Sequence, residues 1–318
     1  MRVVVTGGAG FIGSYLCGQL LDTNGIDSVV VIDDLSNGNL ANIDGLNPER
    51  LTFVEGTILD DDALDQAFAG ADAVVHLAAL GSVPRSVANP LASHHANATG
   101  TVMVLEAARR HRNLHTIVAS SSSVYGSNPV LPKHEDLATR PLSPYGGSKL
   151  ATEGYTLAWG ASYGLPVLAF RFFNVFGPMQ PAGHVYAAVI PAFVDAALRN
   201  EPVIVHGDGT QSRDFTYVGT VCATITDAIV RKVASPDPVN LAFGSRISLL
   251  DTLELLEGLL DQPIERNHAD NRKGDVPHSQ ADNTRLRALF PEIEPVPFPD
   301  GLRNTVDWMR AEHTRRST

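Results

Sequence analysis

The sequence predicts an α/β protein, a doubly wound parallel sheet followed by a smaller C-terminal α/β domain. Three observations predict it. Short β-branched runs alternate with longer helical stretches over the first 173 residues. A glycine-rich turn follows the first run at once. The second run closes on an acid, Asp33, twenty residues after Gly13. Strands separated by helices of this length imply parallel βαβ units with right-handed crossovers.

The elements follow in order. Residues 3–5 form the first strand, Thr6-Gly7-Gly8-Ala9-Gly10-Phe11-Ile12-Gly13 the turn, and a helix opens at Phe11 and runs to about Leu21. Gly7 permits the tight turn, Gly10 lets backbone approach a pyrophosphate, and Gly13 lets helix and strand pack closely. The helix start offers free N–H groups and the positive dipole end to phosphates. Residues 28–32 form the second strand. Asp33 at its end stands where a carboxylate grips an adenosine ribose and repels a 2′-phosphate. A glycine turn alone often only redirects the chain. With a strand before it, and a helix and an acid after it, this one reads as a Rossmann-type site for NAD. Residues 51–54 are the third strand, 61–69 a short helix and 72–76 the fourth strand. A long helix from about 91 to 112 leads to a fifth strand at 116–119. The next helix runs from about 144 to 163, and 167–172 is a further strand.

After Asn174 the pattern loosens into Pro- and Gly-rich loops such as Gly177-Pro178, Gly207-Asp208-Gly209 and Arg272-Lys273-Gly274-Asp275. Loops on a regular scaffold carry specificity. The expected division is a dinucleotide-binding domain over 1–173 and a second domain over 174–318, with some later segments returning to the first.

Bulk properties narrow the function. The chain has 318 residues, 44% hydrophobic and 19% charged, ordinary for a soluble globular protein. Lys and Arg number 24 against 35 Asp and Glu, a formal charge of −11, which argues against a nucleic-acid partner. Cys17 and Cys222 are the only cysteines, so there is no disulfide framework and no CxxC metal pair. That usage suits a reducing compartment. The first apolar run is too short for a signal peptide and no stretch approaches a transmembrane length. A cytoplasmic protein without a membrane partner is expected.

The chemistry lies between Ser120 and Lys149. Tyr145 and Lys149 are four apart on one helix and share a face. A phenol has a pKa near ~10, and a neighbouring ammonium lowers it toward use as a base. The fifth strand ends in Ser120-Ser121-Ser122-Ser123-Val124-Tyr125-Gly126, at the edge where open α/β sheets bind ligands. A hydroxyl there is placed to pass a proton between Tyr145 and a sugar hydroxyl. Capping of a turn suits Ser120 and Ser123 equally well.

These residues carry a family resemblance over almost the whole length. The chain resembles the extended short-chain dehydrogenase/reductases, and among them the nucleotide-sugar 4-epimerases. The matching motifs are the glycine turn, Val75-His76-Leu77-Ala78-Ala79, Asn97-Ala98-Thr99-Gly100-Thr101, the serine run, and Ser143-Pro144-Tyr145-Gly146-Gly147-Ser148-Lys149. Further along come Arg171-Phe172-Phe173-Asn174-Val175-Phe176-Gly177-Pro178 and Gly207-Asp208-Gly209-Thr210-Gln211-Ser212-Arg213-Asp214-Phe215. The resemblance implies that Tyr145 is the base, Lys149 its pKa partner and nicotinamide-ribose anchor, and Ser121 the proton-relaying hydroxyl. It implies NAD contacts at Gly7, Gly10, Phe11, Ile12, Gly13, Asp33, Ile58, Ala78 and Asn97, besides Tyr145 and Lys149. For the UDP-sugar it implies Ser122, Asn174, Ala187, Val189 and Ser279, with Arg213 and Arg272 on the diphosphate and Asp275 on the uridine ribose. The second domain would then be mainly the nucleotide-sugar-binding one.

The implied reaction moves a hydride from sugar C4 to NAD and back to the other face of a transient 4-keto sugar, with no net oxidation. Dehydratases and sugar-acid decarboxylases of the group carry an acid where Ser122 and Ser123 stand. Its 3,5-epimerases and reductases use a cysteine, and neither cysteine here lies near a motif. Ser279 aligns with a tyrosine of epimerases restricted to glucose and galactose, so a small residue leaves room for a 2-acetamido group. UDP-N-acetylglucosamine/UDP-N-acetylgalactosamine is therefore the expected pair, followed by UDP-glucose/UDP-galactose. UDP-glucuronate comes third, because the loop Met179-Gln180-Pro181-Ala182-Gly183-His184 lacks the arginine expected near a sugar carboxylate. The competing class is a non-catalytic NAD-binding sensor, which typically loses Tyr145, Lys149 or the strand-end hydroxyl; all three are present.

Two features depart from the family pattern. Gly56-Thr57-Ile58 places a hydroxyl where a carboxylate usually meets the adenine amino group. Gly146-Gly147 puts two glycines early in the catalytic helix, at about 1 kcal/mol each relative to alanine. Adjacent His94 and His95 make a poor metal pair. Arg85 stands either near the sugar or in a solvated loop, and Arg109-Arg110-His111-Arg112 suits a helix C-terminus. By resemblance, the helices at 91–112 and 144–163 would pair two chains as a homodimer.

Overall fold

Alternation along the first strand decides the layering. In β1 (Arg2–Thr6), Val3 and Val5 enter one apolar core and Val4 enters another on the opposite face. Consecutive valines thus require a sheet covered on both sides. The computed structural model describes residues 1–182, 188–270 and 276–317.

After β1 come α1 (Phe11–Leu21), β2 (Ser28–Asp33), β3 (Leu51–Glu55), α2 (Asp61–Phe68), β4 (Ala73–His76) and α3 (Val83–Ala88). Then follow α4 (Pro90–His94), α5 (Gly100–Arg110), β5 (His115–Ser121), α6 (Pro144–Tyr163) and β6 (Val167–Phe172). The later part holds β7 (Asn174–Phe176), α7 (Val189–Leu198), β8 (Val203–His206), β9 (Ser212–Arg213), β10 (Phe215–Tyr217) and α8 (Val218–Arg231). It ends with β11 (Val239–Leu241), β12 (Ile247–Ser248), α9 (Leu249–Leu260), β13 (Arg266–Ala269), α10 (Thr284–Leu289) and α11 (Phe298–Ser317).

Seven strands form one parallel sheet in the order β11-β6-β5-β4-β1-β2-β3. The order reverses between β1 and β4, where the ligand crevice of a doubly wound sheet opens. One edge, β11, is supplied by chain beyond residue 174. The remaining strands pair as β7 with β10, β9 with β12 and β8 with β13. Helix α1 lies along α8, with the Tyr15 ring edge-on to Tyr217 at 6.3 Å.

Helix α6 has the expected ends. Pro144 opens it, the Ser143 side chain accepts from the Gly146 N–H, and Gly164 closes it in the left-handed region. The helix expected over 91–112 runs without a gap from Pro90 to Arg110, with a π-turn inside it. That π-turn, at His95–Thr99, joins α4 to α5, and α5 stops at Arg110 because Arg112 and Asn113 take positive φ. The fifth strand is longer than its apolar core, since Ser120 and Ser121 keep pairing with Arg171 and Phe172 of β6. That pairing carries Ser121 to the crevice.

Candidate active site

Backbone rather than side chain forms one wall of the crevice. Gly7 adopts a φ of 70°, and a Cβ on Gly13 would lie 2.2 Å from the Gly7 carbonyl oxygen. Gly10, the N-cap of α1, has no side chain to satisfy the first-turn N–H groups, which leaves them for an anion. At the end of β2, buried Asp33 accepts from the Ala9 N–H at 3.0 Å and the Leu35 N–H at 2.9 Å. Burial raises its pKa above the usual carboxylate value, and those two donors pull it back.

These residues line a groove of about 640 Å³ with Phe11, Ile12, Ile58, Ala78, Ser121, Tyr145 and Lys149. The groove suits a dinucleotide: a bare helix start for the pyrophosphate, a carboxylate for the adenosine ribose, and a phenol–lysine pair beyond. The Thr57 hydroxyl also lines it and accepts from the Leu59 N–H at 3.3 Å.

Ser121 ends β5, and its Oγ accepts from the Ser123 N–H at 3.1 Å, so it caps the short 3-10 turn at Ser122–Val124. The Ser121 hydroxyl also lines the groove beside the Tyr145 phenol, and its interaction there favours phenolate. Burial outweighs this and pushes the Tyr145 pKa up. Lys149, also buried, donates from Nζ to the Ala119 carbonyl at 2.8 Å, and burial lowers its pKa to about 8. The expected lowering of Tyr145 by Lys149 is therefore not what this geometry gives: the ammonium is held on β5 and desolvation governs the phenol.

Other hydroxyls hold Tyr145 in place. Ser86 Oγ of α3 accepts the Tyr145 backbone N–H at 3.0 Å, satisfying one of the orphan donors at the start of α6. Nothing in the sequence pattern pointed to Ser86. Ser120 is not a turn cap, because its Oγ donates to Glu153 Oε2 at 2.8 Å in a buried network. Arg171 grips the same carboxylate, lies over the Tyr125 ring at 4.7 Å, and Tyr125 donates to Asn240 at 2.7 Å. This network braces the serine run from behind.

A second cavity, about 140 Å³, adjoins the groove, and Phe173 lines both. Ser122, Asn174, Arg213 and Ser279 come together on its wall. Of the remaining expected substrate residues, Val189 opens α7 and packs on the core rather than on either cavity. Ala187, Arg272 and Asp275 lie outside the described residues.

Asn97 also differs from expectation. Buried in the π-turn, it accepts from the Leu80 N–H at 2.8 Å and donates to Ser148 Oγ at 2.9 Å, and Ser148 in turn donates to the Tyr145 carbonyl. Its amide positions α6 rather than lining the groove. Arg85 stands at the groove rim and donates to Asn37 Oδ1 at 2.5 Å. Neither cysteine lines either of these two cavities, and no group of three His, Cys, Asp or Glu suited to a metal occurs among the described residues.

Comparison with known proteins agrees with this geometry. The model of the NAD dependent epimerase/dehydratase family matches residues 3–242. The UDP-glucose 4-epimerase of Mycolicibacterium smegmatis is 35% identical over 319 residues, covering 98% of this chain and 99% of that one. A UDP-N-acetylglucosamine 4-epimerase from Methanobrevibacter ruminantium, solved with UDP-N-acetylmuramic acid, superposes with a TM-score of 0.92 at 38% identity, covering 98% of each chain. The UDP-glucuronic acid 4-epimerase of Bacillus cereus, solved with UDP-glucuronic acid and NAD, gives 0.90 at 31% identity, covering 98% of this chain and all of that one.

Proposed function

The chain belongs to the NAD-dependent epimerase/dehydratase family, and from that footing we propose that it interconverts UDP-N-acetylglucosamine and UDP-N-acetylgalactosamine by inversion at C4. That it is an NAD-dependent UDP-sugar 4-epimerase, an isomerase, follows from its relatives. The observation that carries the choice of sugar is Ser279, a buried small residue on the wall of the second cavity beside Ser122 and Asn174. A small side chain there leaves space for an acetamido group, and a related structure holds a UDP-N-acetylhexosamine derivative.

In this reading NAD, when bound, would supply the reversible hydride chemistry at C4. Gly7, Gly10 and Gly13 with the start of α1 would seat its pyrophosphate, and Asp33 would hold its adenosine ribose. Tyr145 removes the proton from the sugar 4-hydroxyl and Ser121 relays it. Lys149 would anchor the nicotinamide-side ribose. Asn174 and Arg213 hold the nucleotide while the 4-keto sugar turns over. Because the hydride never exchanges with solvent, a substrate deuterated at C4 should retain its label in the product; washout into water would contradict the mechanism.

We further propose a homodimer paired through the face that exposes Val87, Leu91, Tyr155 and Tyr163. The cytoplasm is the proposed location, a reducing setting that suits the two buried thiols. No helix among the described residues is long and apolar enough to cross a membrane.

A further inference from the structure

A buried cation on the wall of the second cavity is unaccounted for by the roles above. Lys133 lies in the excursion between Gly126 and Ser143, and backbone hydrogen bonds fix its root. Its N–H donates to the Gln280 carbonyl at 2.8 Å, and its carbonyl accepts from the Asp282 N–H at 2.8 Å and from Asn240 Nδ2 at 2.8 Å. The excursion is thereby joined to the segment that carries Ser279. The side chain is 8% exposed. Its Nζ donates to the Asn128 carbonyl, and among the described residues no carboxylate pairs with it.

An ammonium has three donors, and the described residues accept from one. Burying a cation without a counter-charge is costly unless another acceptor arrives. The chain carries a formal charge of −11, yet no described residue lining this cavity is acidic, while Lys133, Arg213 and His278 all line it. Arg213 is the cation proposed for the diphosphate, which leaves Lys133 on the Ser279 side. Burial lowers the Lys133 pKa, in keeping with an unpaired ammonium.

We propose that Lys133 is a specificity-determining residue that donates to a carbonyl or carboxylate oxygen carried by the sugar of the UDP-sugar. The assignment rests on the UDP-sugar reading above and names the group that the second cavity recognises. An acetamido carbonyl and a uronate carboxylate share this acceptor chemistry; a plain hexose has neither.

The test is calorimetric titration of the NAD-loaded protein with UDP-N-acetylglucosamine, UDP-glucuronate and UDP-glucose, comparing wild type with Lys133→Met. The expected result is that the variant weakens one of the first two ligands at least about tenfold more than UDP-glucose. Loss confined to UDP-N-acetylglucosamine identifies the amide carbonyl, and loss confined to UDP-glucuronate identifies a carboxylate. Equal weakening of all three, as a merely structural lysine would give, overturns the assignment, and so does no weakening. Should Lys133→Met fail to fold, Lys133→Leu, which also lacks a donor, is read in the same panel. Binding is scored separately from turnover, so a protein that binds these ligands without epimerising them refutes the reaction and leaves the Lys133 result readable.

Discussion

Arg171 on β6 and Glu153 on α6 form a buried bidentate ion pair, Nε to Oε2 at 2.9 Å and Nη2 to Oε1 at 2.7 Å. The pair joins the catalytic helix to the sheet directly behind the serine run, and Ser120 adds a third bond to the carboxylate. Removing one partner leaves a buried charge uncompensated, which costs roughly 3–5 kcal/mol. Glu153→Ala is expected to lower the thermal midpoint by many degrees, and Ser120→Ala to lower it less, since a hydrogen bond to a charged group is worth roughly 1.5–3 kcal/mol. Calorimetry on both variants checks the order.

The two adjacent glycines of α6 are not equivalent. A Cβ on Gly146 would lie 2.8 Å from the Ser123 carbonyl oxygen, whereas one on Gly147 meets nothing within 4 Å. The close approach that Gly146 permits is to the serine turn. Gly146→Ala is therefore expected to move Ser121 relative to Tyr145 and lower kcat at least about tenfold, since small misplacements are costly in catalysis. Gly147→Ala is expected to stabilise the helix by up to about 1 kcal/mol. Nothing in the structure explains the glycine at 147.

Tyr145→Phe removes the proposed base while keeping the ring. A fall in kcat of about 10²–10⁴-fold is expected, with NAD content and UDP-sugar affinity changed no more than about twofold. Parallel loss of NAD would show that the hydroxyl mainly holds the cofactor.

Asp214 gives the protein a pH signature. Fully buried, it accepts from the Gly244 and Ala281 N–H groups and the Ser245 hydroxyl. Burial raises its pKa to about 6, above the ordinary carboxylate value. Between about pH 4 and pH 6 the native state therefore binds the proton that the unfolded chain has released, so this group's contribution to stability falls as pH rises through that window and is flat above it. Asp214→Asn, with its oxygen on the two backbone N–H groups and its amine on Ser245, is expected to flatten that slope. Denaturant midpoints at pH 4.5 and 7 (about these values) measure it.

Much of the NAD-facing half was legible because its signals are local. A turn that needs Gly7 and Gly13, an acid closing β2 and the i,i+4 pair Tyr145 and Lys149 lie within short windows, and the structure brings them to one groove. What escaped depends on contacts between distant segments. The π-turn that sends Asn97 toward Ser148 is a shift of one helical residue with no compositional mark. Tertiary packing, with no mark in the local pattern, sets Ser86 against Tyr145 and Lys133 against Gln280. The serine run shows the limit most plainly: the family resemblance pointed to Ser121, but only the pairing of β5 with β6 assigns Ser120 to Glu153, Ser121 to the groove and Ser122 to the second cavity.

The most direct test of the proposed activity is proton NMR of the anomeric signals of UDP-N-acetylglucosamine incubated with purified protein and no added NAD. Growth of the UDP-N-acetylgalactosamine signal is the expected result, and a Ser279→Tyr variant should lose it while keeping action on UDP-glucose. An unchanged spectrum, with UDP-glucose alone turned over even after NAD is supplied, would contradict the acetamido-sugar assignment.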